Sequence, residues 1–214
     1  MSRLKKVLVV GGGTAGWLAA CYLAKAMNAV HPDSIQVHLV ESDNIGLLGV
    51  GEATFPSIRG TLSAIGLDER RFLVGATATY KQGIHYRHWV RPPGTPGSDH
   101  FFHPFSQPSQ RPGGPELLPY WLLGAASAGV SFADAVTMQS MLVDHGRGPK
   151  RPTDPDYQGP MNHAFHFDAA CFAKVLAEHG QETLGVKRHV ATVERAALDG
   201  DGAMACVVTK QLAD

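Results

Sequence analysis

The stretch VLVVGGGTAGWLAA at residues 7–20 limits what this chain can fold into more than any other. Residues 7–10 are a short branched-aliphatic run, the pattern of a strand buried in the middle of a parallel sheet. Gly11, Gly13 and Gly16 then fit G-x-G-x-x-G, and the residues that follow keep helical period, with Trp17, Cys21 and Ala24 on one stripe. After the breaker HPDS, residues 35–40 alternate as a second strand that ends at Glu41. Strand, glycine turn, helix, strand and acid in this order make a βαβ unit suited to a dinucleotide. One glycine makes the tight turn, one lets backbone approach a pyrophosphate, and one lets helix and strand pack closely. The helix start adds free N–H groups and the positive end of its dipole. The predicted phosphate cradle is therefore Gly11, Gly13, Thr14, Ala15 and Gly16. Glu41 is placed to accept hydrogen bonds from a ribose. These residues alone leave NAD and FAD both open.

Charge removes other classes. Lysine plus arginine and aspartate plus glutamate number 19 each, so no basic field points to nucleic acid. Cys21, Cys171 and Cys206 are scattered, with no C-x-x-C pairing, as expected of reduced thiols in the cytoplasm. The start MSRLKK has a basic head, but the apolar run behind it meets glycines at once and offers no cleavage site. It reads as a first strand rather than a signal peptide. No apolar run approaches membrane-spanning length. The expectation is a soluble, cytoplasmic α/β protein.

The stretch after Glu41 decides between the two cofactors. A plain NAD domain would continue with another crossover helix, whereas here a glycine-studded loop runs through GVGEATFP. A long loop beside a dinucleotide site is more often functional than idle. A helix follows over residues 56–65, with Pro56 suited to its first position and Gly66 to its stop. In GATATYKQGIHYRHWV, Ile84, Tyr86 and Val90 alternate with polar residues as in a half-buried strand. Residues 91–115, rich in Pro, Gly, Ser and His, predict an irregular excursion. Helical patterns cover residues 116–128 and 132–142, and a second loop covers 144–162. A further helix has Asp168 as its N-cap and Gly180 as its stop. Residues 186–210 read as two strands joined by the turn from Asp199 to Gly202. The domains predicted are residues 1–90, a cofactor-binding core; 91–165, a loop-rich and helical insertion; and 166–214, a return helix and β-hairpin.

The H-x-x-H pairs His85/His88 and His100/His103 do not make a metal site. On a strand that spacing turns the rings to opposite faces, and no acidic or cysteine partner stands at ligand spacing. His163 and His166, flanking Phe165 and Phe167, are read as leading into the Asp168 helix.

Four stretches in this order, GGGTAGWLAA, GVGEATFPSI, YKQGIHYRHW and FHFDAACFAKVLAE, resemble the N-terminal part of the flavin-dependent halogenases, the tryptophan halogenase family. The Trp behind the glycines and the GEATFP loop are more specific than G-x-G-x-x-G. The resemblance implies an α/β, FAD-binding Rossmann-like fold of glutathione-reductase type with an inserted substrate region. It implies that Gly11, Gly13, Thr14, Ala15 and Gly16 hold FAD and that Glu41 meets the adenosine ribose. Gly49, Val50, Gly51, Glu52 and Ala53 would belong to a strap that runs along the flavin as far as Pro56. Lys81, in YKQGI, matches the family's catalytic lysine. FADH2 would come from a separate flavin reductase, and with oxygen and chloride or bromide would yield hypohalous acid. That acid would cross an internal tunnel to the lysine and halogenate an electron-rich, tryptophan- or indole-like substrate. Phe101, Phe102, Phe105, Tyr120 and Trp121 would line its chamber, although aromatic clusters also serve as plain core.

A lysine is the residue such chemistry needs. Free hypohalous acid is indiscriminate, so something must hold it beside one carbon. An ammonium can hydrogen-bond and polarise its oxygen, and an amine can carry the halogen. Outside that context, a lysine at a strand start is ordinarily a solvated side chain.

The main departure is length. The family's second flavin-contacting segment, its W-x-W-x-I-P motif and the glutamate that partners the lysine are not in this sequence. A fragment that does not halogenate by itself is therefore expected. A flavin monooxygenase and a non-catalytic FAD module are the alternative readings.

Overall fold

The computed structural model describes residues 4–28, 35–43, 45, 51–96, 100–108, 113–124, 128–202 and 204–210. The first elements are β1 (Lys6–Val10), α1 (Thr14–Met27), β2 (Gln36–Glu41), β3 (Gly51–Ala53), α2 (Ser57–Ile65) and α3 (Glu69–Gly75). Next come β4 (Thr79–Lys81), β5 (Gly83–Arg87), β6 (His100–Pro104), α4 (Leu117–Leu123), α5 (Phe132–Val136) and α6 (Gln139–Asp144). The chain continues with β7 (Ala164–Asp168), α7 (Ala169–Glu182), β8 (Lys187–Val190), β9 (Thr192–Leu198) and β10 (Met204–Lys210). Residues 1–52, 61–78 and 167–214 form one compact unit, and residues 53–60 and 79–166 another. No helix among the described residues is long and apolar enough to cross a membrane.

In the first unit β1, β2 and β8 form a parallel sheet in that order. The middle strand is therefore β2, whose Val37 and Leu39 are buried. Among the described residues β1 pairs only with β2 and leaves Leu8 and Val10 exposed, where a fully buried central strand was expected. Helix α1 buries Trp17, Ala20, Cys21 and Ala24, the stripe expected from its period, and lies against α7. Burial in that interface pushes the Cys21 thiol up to about 12.

Gly180 does not stop α7, which runs on to Glu182. A Cβ on Gly180 would stand 3.1 Å from Cys21 Sγ and 3.3 Å from Trp17 Cζ3, so this glycine lets the two helices approach. The start of α7 is as expected. Asp168 Oδ1 accepts the Cys171 N–H at 2.7 Å, and that bond holds its carboxyl below the usual range. Phe72, Phe167 and Phe172 close the core with ring centroids 4.6–5.9 Å apart.

Residues 186–210 hold three strands where two were expected. β8 joins the parallel sheet beside β2, and only β9 and β10 pair as an antiparallel hairpin.

In the second unit β4 pairs antiparallel with β7, placing Tyr80 opposite Phe165 and Lys81 opposite Ala164. β7 was not expected as a strand, although its Phe-His-Phe alternation carries the period-two signal. Phe165 and Phe167 are buried and His166 is exposed. β5 pairs antiparallel with β6, which lies inside the stretch expected to be irregular. There Phe101 and Phe102 gain partners from a strand distant in sequence. Val90, beyond the end of β5, is 76% exposed and does not continue its alternation. The helix expected over 132–142 breaks into α5 and α6 at the extended residue Thr137, whose hydroxyl accepts the Gln139 N–H at 3.2 Å. α4 ends at Leu123, short of the expected 128. α2 begins after Pro56, and Gly66 follows it with a φ of +73°.

Candidate functional site

The glycine loop between β1 and α1 is shaped by backbone. Gly11 adopts a φ of +109° and donates its N–H to the Val40 carbonyl at 2.9 Å, which ties the loop to the end of β2. A Cβ on Gly16 would lie 1.9 Å from the Gly11 carbonyl oxygen, so only glycine lets α1 start this close to the turn. Gly13 is the N-cap of α1 and no side chain satisfies the first turn, which also carries no acidic residue. The N–H groups and dipole of this first turn suit an anion, and the cradle fits a pyrophosphate. Thr14 donates its hydroxyl to the Ala169 carbonyl at 3.3 Å. Ala15 is exposed in the same first turn.

Glu41 ends β2 and turns its carboxylate onto this loop. The position a Cβ on Gly12 would take is 1.4 Å from Glu41 Oε2. Gly12 therefore belongs to the cradle, although the G-x-G-x-x-G reading passes over it. Glu41 Oε1 meanwhile accepts from Arg188 Nε at 2.6 Å. Arg188 is a further residue that sequence reasoning missed, and nothing in its local pattern marks it out.

Gly51, Glu52 and Ala53 form β3, with open space around Gly51. Gly49 and Val50 lie outside the described residues.

Lys81, at the end of β4, sits in a cage within the second unit. Its Nζ donates to the Thr54 carbonyl at 3.2 Å and stands 5.1 Å and 5.3 Å from the ring centroids of Phe55 and Phe105. Thr54 is fixed to β7 by three bonds: its N–H and its hydroxyl each donate to the Phe165 carbonyl at 3.0 Å, and its hydroxyl accepts the Phe165 N–H at 3.1 Å. Phe105 is held by its own N–H on the Gln82 carbonyl at 3.0 Å and by Asn162 Nδ2 on its carbonyl at 2.9 Å. Among the described residues Lys81 forms no ion pair. Desolvation, and then the Lys81 charge, hold His166 below its ordinary value.

Beside this cage a cavity of about 1060 Å³ is lined by Phe101, Phe102, Phe105 and Trp121 together with Pro56 and Phe132. Phe105 thus touches both the lysine and the cavity. Tyr120 is not part of this wall and is 62% exposed. The histidines take other roles. His163 is buried edge-on to Tyr80 and Phe165, as core. His85 meets His100 across the β5–β6 pair instead of its neighbour His88. Among the described residues no three His, Cys, Asp or Glu converge as a metal site.

The family model described as tryptophan halogenase matches residues 6–213. Tryptophan 6-halogenase SttH of Streptomyces toxytricini is 36% identical over 230 residues, covering 98% of this chain and 42% of that protein. The crystal structure of a tryptophan halogenase from Shewanella frigidimarina superposes with a TM-score of 0.86 at 36% identity, covering 97% of this chain and 40% of that one. Xcc4156, a flavin-dependent halogenase from Xanthomonas campestris, gives 0.80 at 31% identity, covering 97% and 39%. The chain spans about 40% of the length of the curated relatives it matches. The mixed α/β architecture is that of the flavin-dependent halogenase structures.

Proposed function

This chain belongs to the tryptophan halogenase family, and from that premise we propose that it carries the FAD loop and the lysine of an FAD-dependent halogenase. The substrate is an electron-rich aromatic of tryptophan or indole type, and the halide is chloride or bromide. The protein works in the cytoplasm, with FADH2 from a separate flavin reductase. The observation that carries this reading is Lys81, held by the Thr54 carbonyl between Phe55 and Phe105 at the edge of an aromatic cavity.

Reduced FAD with oxygen supplies the two-electron oxidation that turns halide into hypohalous acid. Everything else falls to the chain. The first-turn N–H groups of α1 and the backbone of Gly11, Gly12, Gly13 and Gly16 would hold the pyrophosphate. Glu41 would accept from the adenosine ribose, and Gly51, Glu52 and Ala53 of β3 would help hold the flavin. Lys81 donates a hydrogen bond to the oxygen of hypohalous acid, which polarises the oxygen–halogen bond toward the substrate. The halogen passes to a ring carbon, the ring gives up a proton, and the oxygen leaves as water. Phe55 and Phe105 offer their ring faces to the ammonium and help fix where it stands beside the substrate.

The test is to supply the natural full-length protein with FAD, a flavin reductase, NADH, bromide and a panel of indoles. Catalase removes free peroxide. Mass spectrometry should find enzyme-dependent brominated product. Oxygenated product without bromine would make the protein a monooxygenase instead.

A further inference from the structure

We propose that Arg188 is a positioning residue for nucleotide binding that clamps the Glu41 carboxylate onto the glycine loop. The proposal rests on the reading that the adenosine and pyrophosphate of FAD occupy that loop. Arg188 lies on β8 in register with Leu39 of β2, two residues before Glu41. Its Nε donates to Glu41 Oε1 at 2.6 Å, and its Nη2 reaches Asp43 Oδ1 at 3.4 Å. The two carboxylate oxygens of Glu41 therefore have different work. Oε1 is committed to arginine, and Oε2 is the atom that overlies Gly12, 1.4 Å from where a Cβ would stand. The clamp leaves one oxygen aimed at the loop as an acceptor for a ribose hydroxyl.

Charge points the same way. Glu41 and Asp43 bring two negative charges to the edge of a cradle meant for an anionic pyrophosphate. Arg188 supplies the cation that offsets them. Without it the carboxylate would regain its rotamers and repel the ligand at short range. The side chains of Arg188 and Glu41 are 37% and 17% exposed. An ion pair this close to solvent adds little to fold stability, so its loss should register in binding rather than in melting.

The test compares FAD dissociation constants, read by flavin fluorescence, and apoprotein melting temperatures in the natural full-length protein. Arg188→Met should weaken FAD about tenfold with little change in melting. Arg188→Lys should recover part of that loss, since it restores the charge without the planar fork. On a Glu41→Gln background, Arg188→Met should cost less than about twofold, because both changes remove one interaction. Wild-type-like FAD affinity in Arg188→Met, or penalties that multiply in the double variant, would overturn the proposal. Gly13→Val separates this failure from failure of the underlying reading. If Gly13→Val and Glu41→Gln both bind FAD as the wild type does, the loop is not the FAD site, and the role of Arg188 falls with it.

Discussion

The glycine loop is shaped chiefly by backbone, whereas the surroundings of Lys81 are chiefly side chain. A Cβ on Gly16 would meet the Gly11 carbonyl at 1.9 Å, so one added carbon rebuilds the loop, and a Cβ on Gly12 would displace the Glu41 carboxylate, whose Oε2 lies 1.4 Å away. Lys81 instead reaches out from a short strand, and its surroundings are two phenyl rings and one carbonyl. The first arrangement tolerates almost no substitution because its shape is its chemistry. In the second the fold and the chemistry can be separated, since removing an ammonium from the end of β4 leaves the strand pairing intact.

The largest effect should come from Gly16→Ala. Its methyl group meets a carbonyl that cannot move without undoing the Gly11 turn, so FAD binding should be lost and the protein destabilised by about 3 kcal/mol or more. Thermal melting with a flavin titration reads both. Retained FAD would mean that the loop is not backbone-limited.

Lys81→Ala should leave melting and the rate of FADH2 oxidation by oxygen near wild type, while halogenated product falls by about a hundredfold or more. Normal product yield would return this residue to the ordinary solvated lysine.

The two long helices of the first unit sharpen the contrast further. α1 starts at Gly13 without a side-chain cap, and α7 starts at Asp168 with one. Asp168→Ala should lower the melting temperature by a few degrees, and Asp168→Asn by less, because Asn can still cap. The folded carboxyl titrates below its unfolded value, so its contribution is present above the unfolded value of about 4 and is lost as pH falls through the lower folded one. Melting of Asp168→Asn followed from pH 6 to pH 2 should lack that component.

Gly60→Ala should have the smallest effect, with the opposite sign. Gly60 lies exposed inside α2 with nothing within 4 Å of its Cβ position, so alanine should stabilise by about 0.5–1 kcal/mol. A loss of stability there would mean that glycines of the second unit are as constrained as Gly16.

By itself the sequence determined what adjacent residues decide among themselves. The glycine turn at Gly11, the helical period of α1, the Asp168 cap and the stop at Gly66 each have a signature within a few residues of sequence. The tertiary structure decided what depends on pairing across the chain. Arg188 meets Glu41 across 147 residues of sequence, and Lys81 meets the Thr54 carbonyl across 27. Gly180 reads locally as a helix stop, yet its contacts with Cys21 and Trp17 make it the close-packing point of two helices. β6 reads as loop until β5 supplies its hydrogen bonds, and β8 reads as half of a hairpin until β2 does. A strand's partners, and the groups that converge beside a side chain, are set by which distant segments bury surface together, and no window of neighbouring residues contains that information.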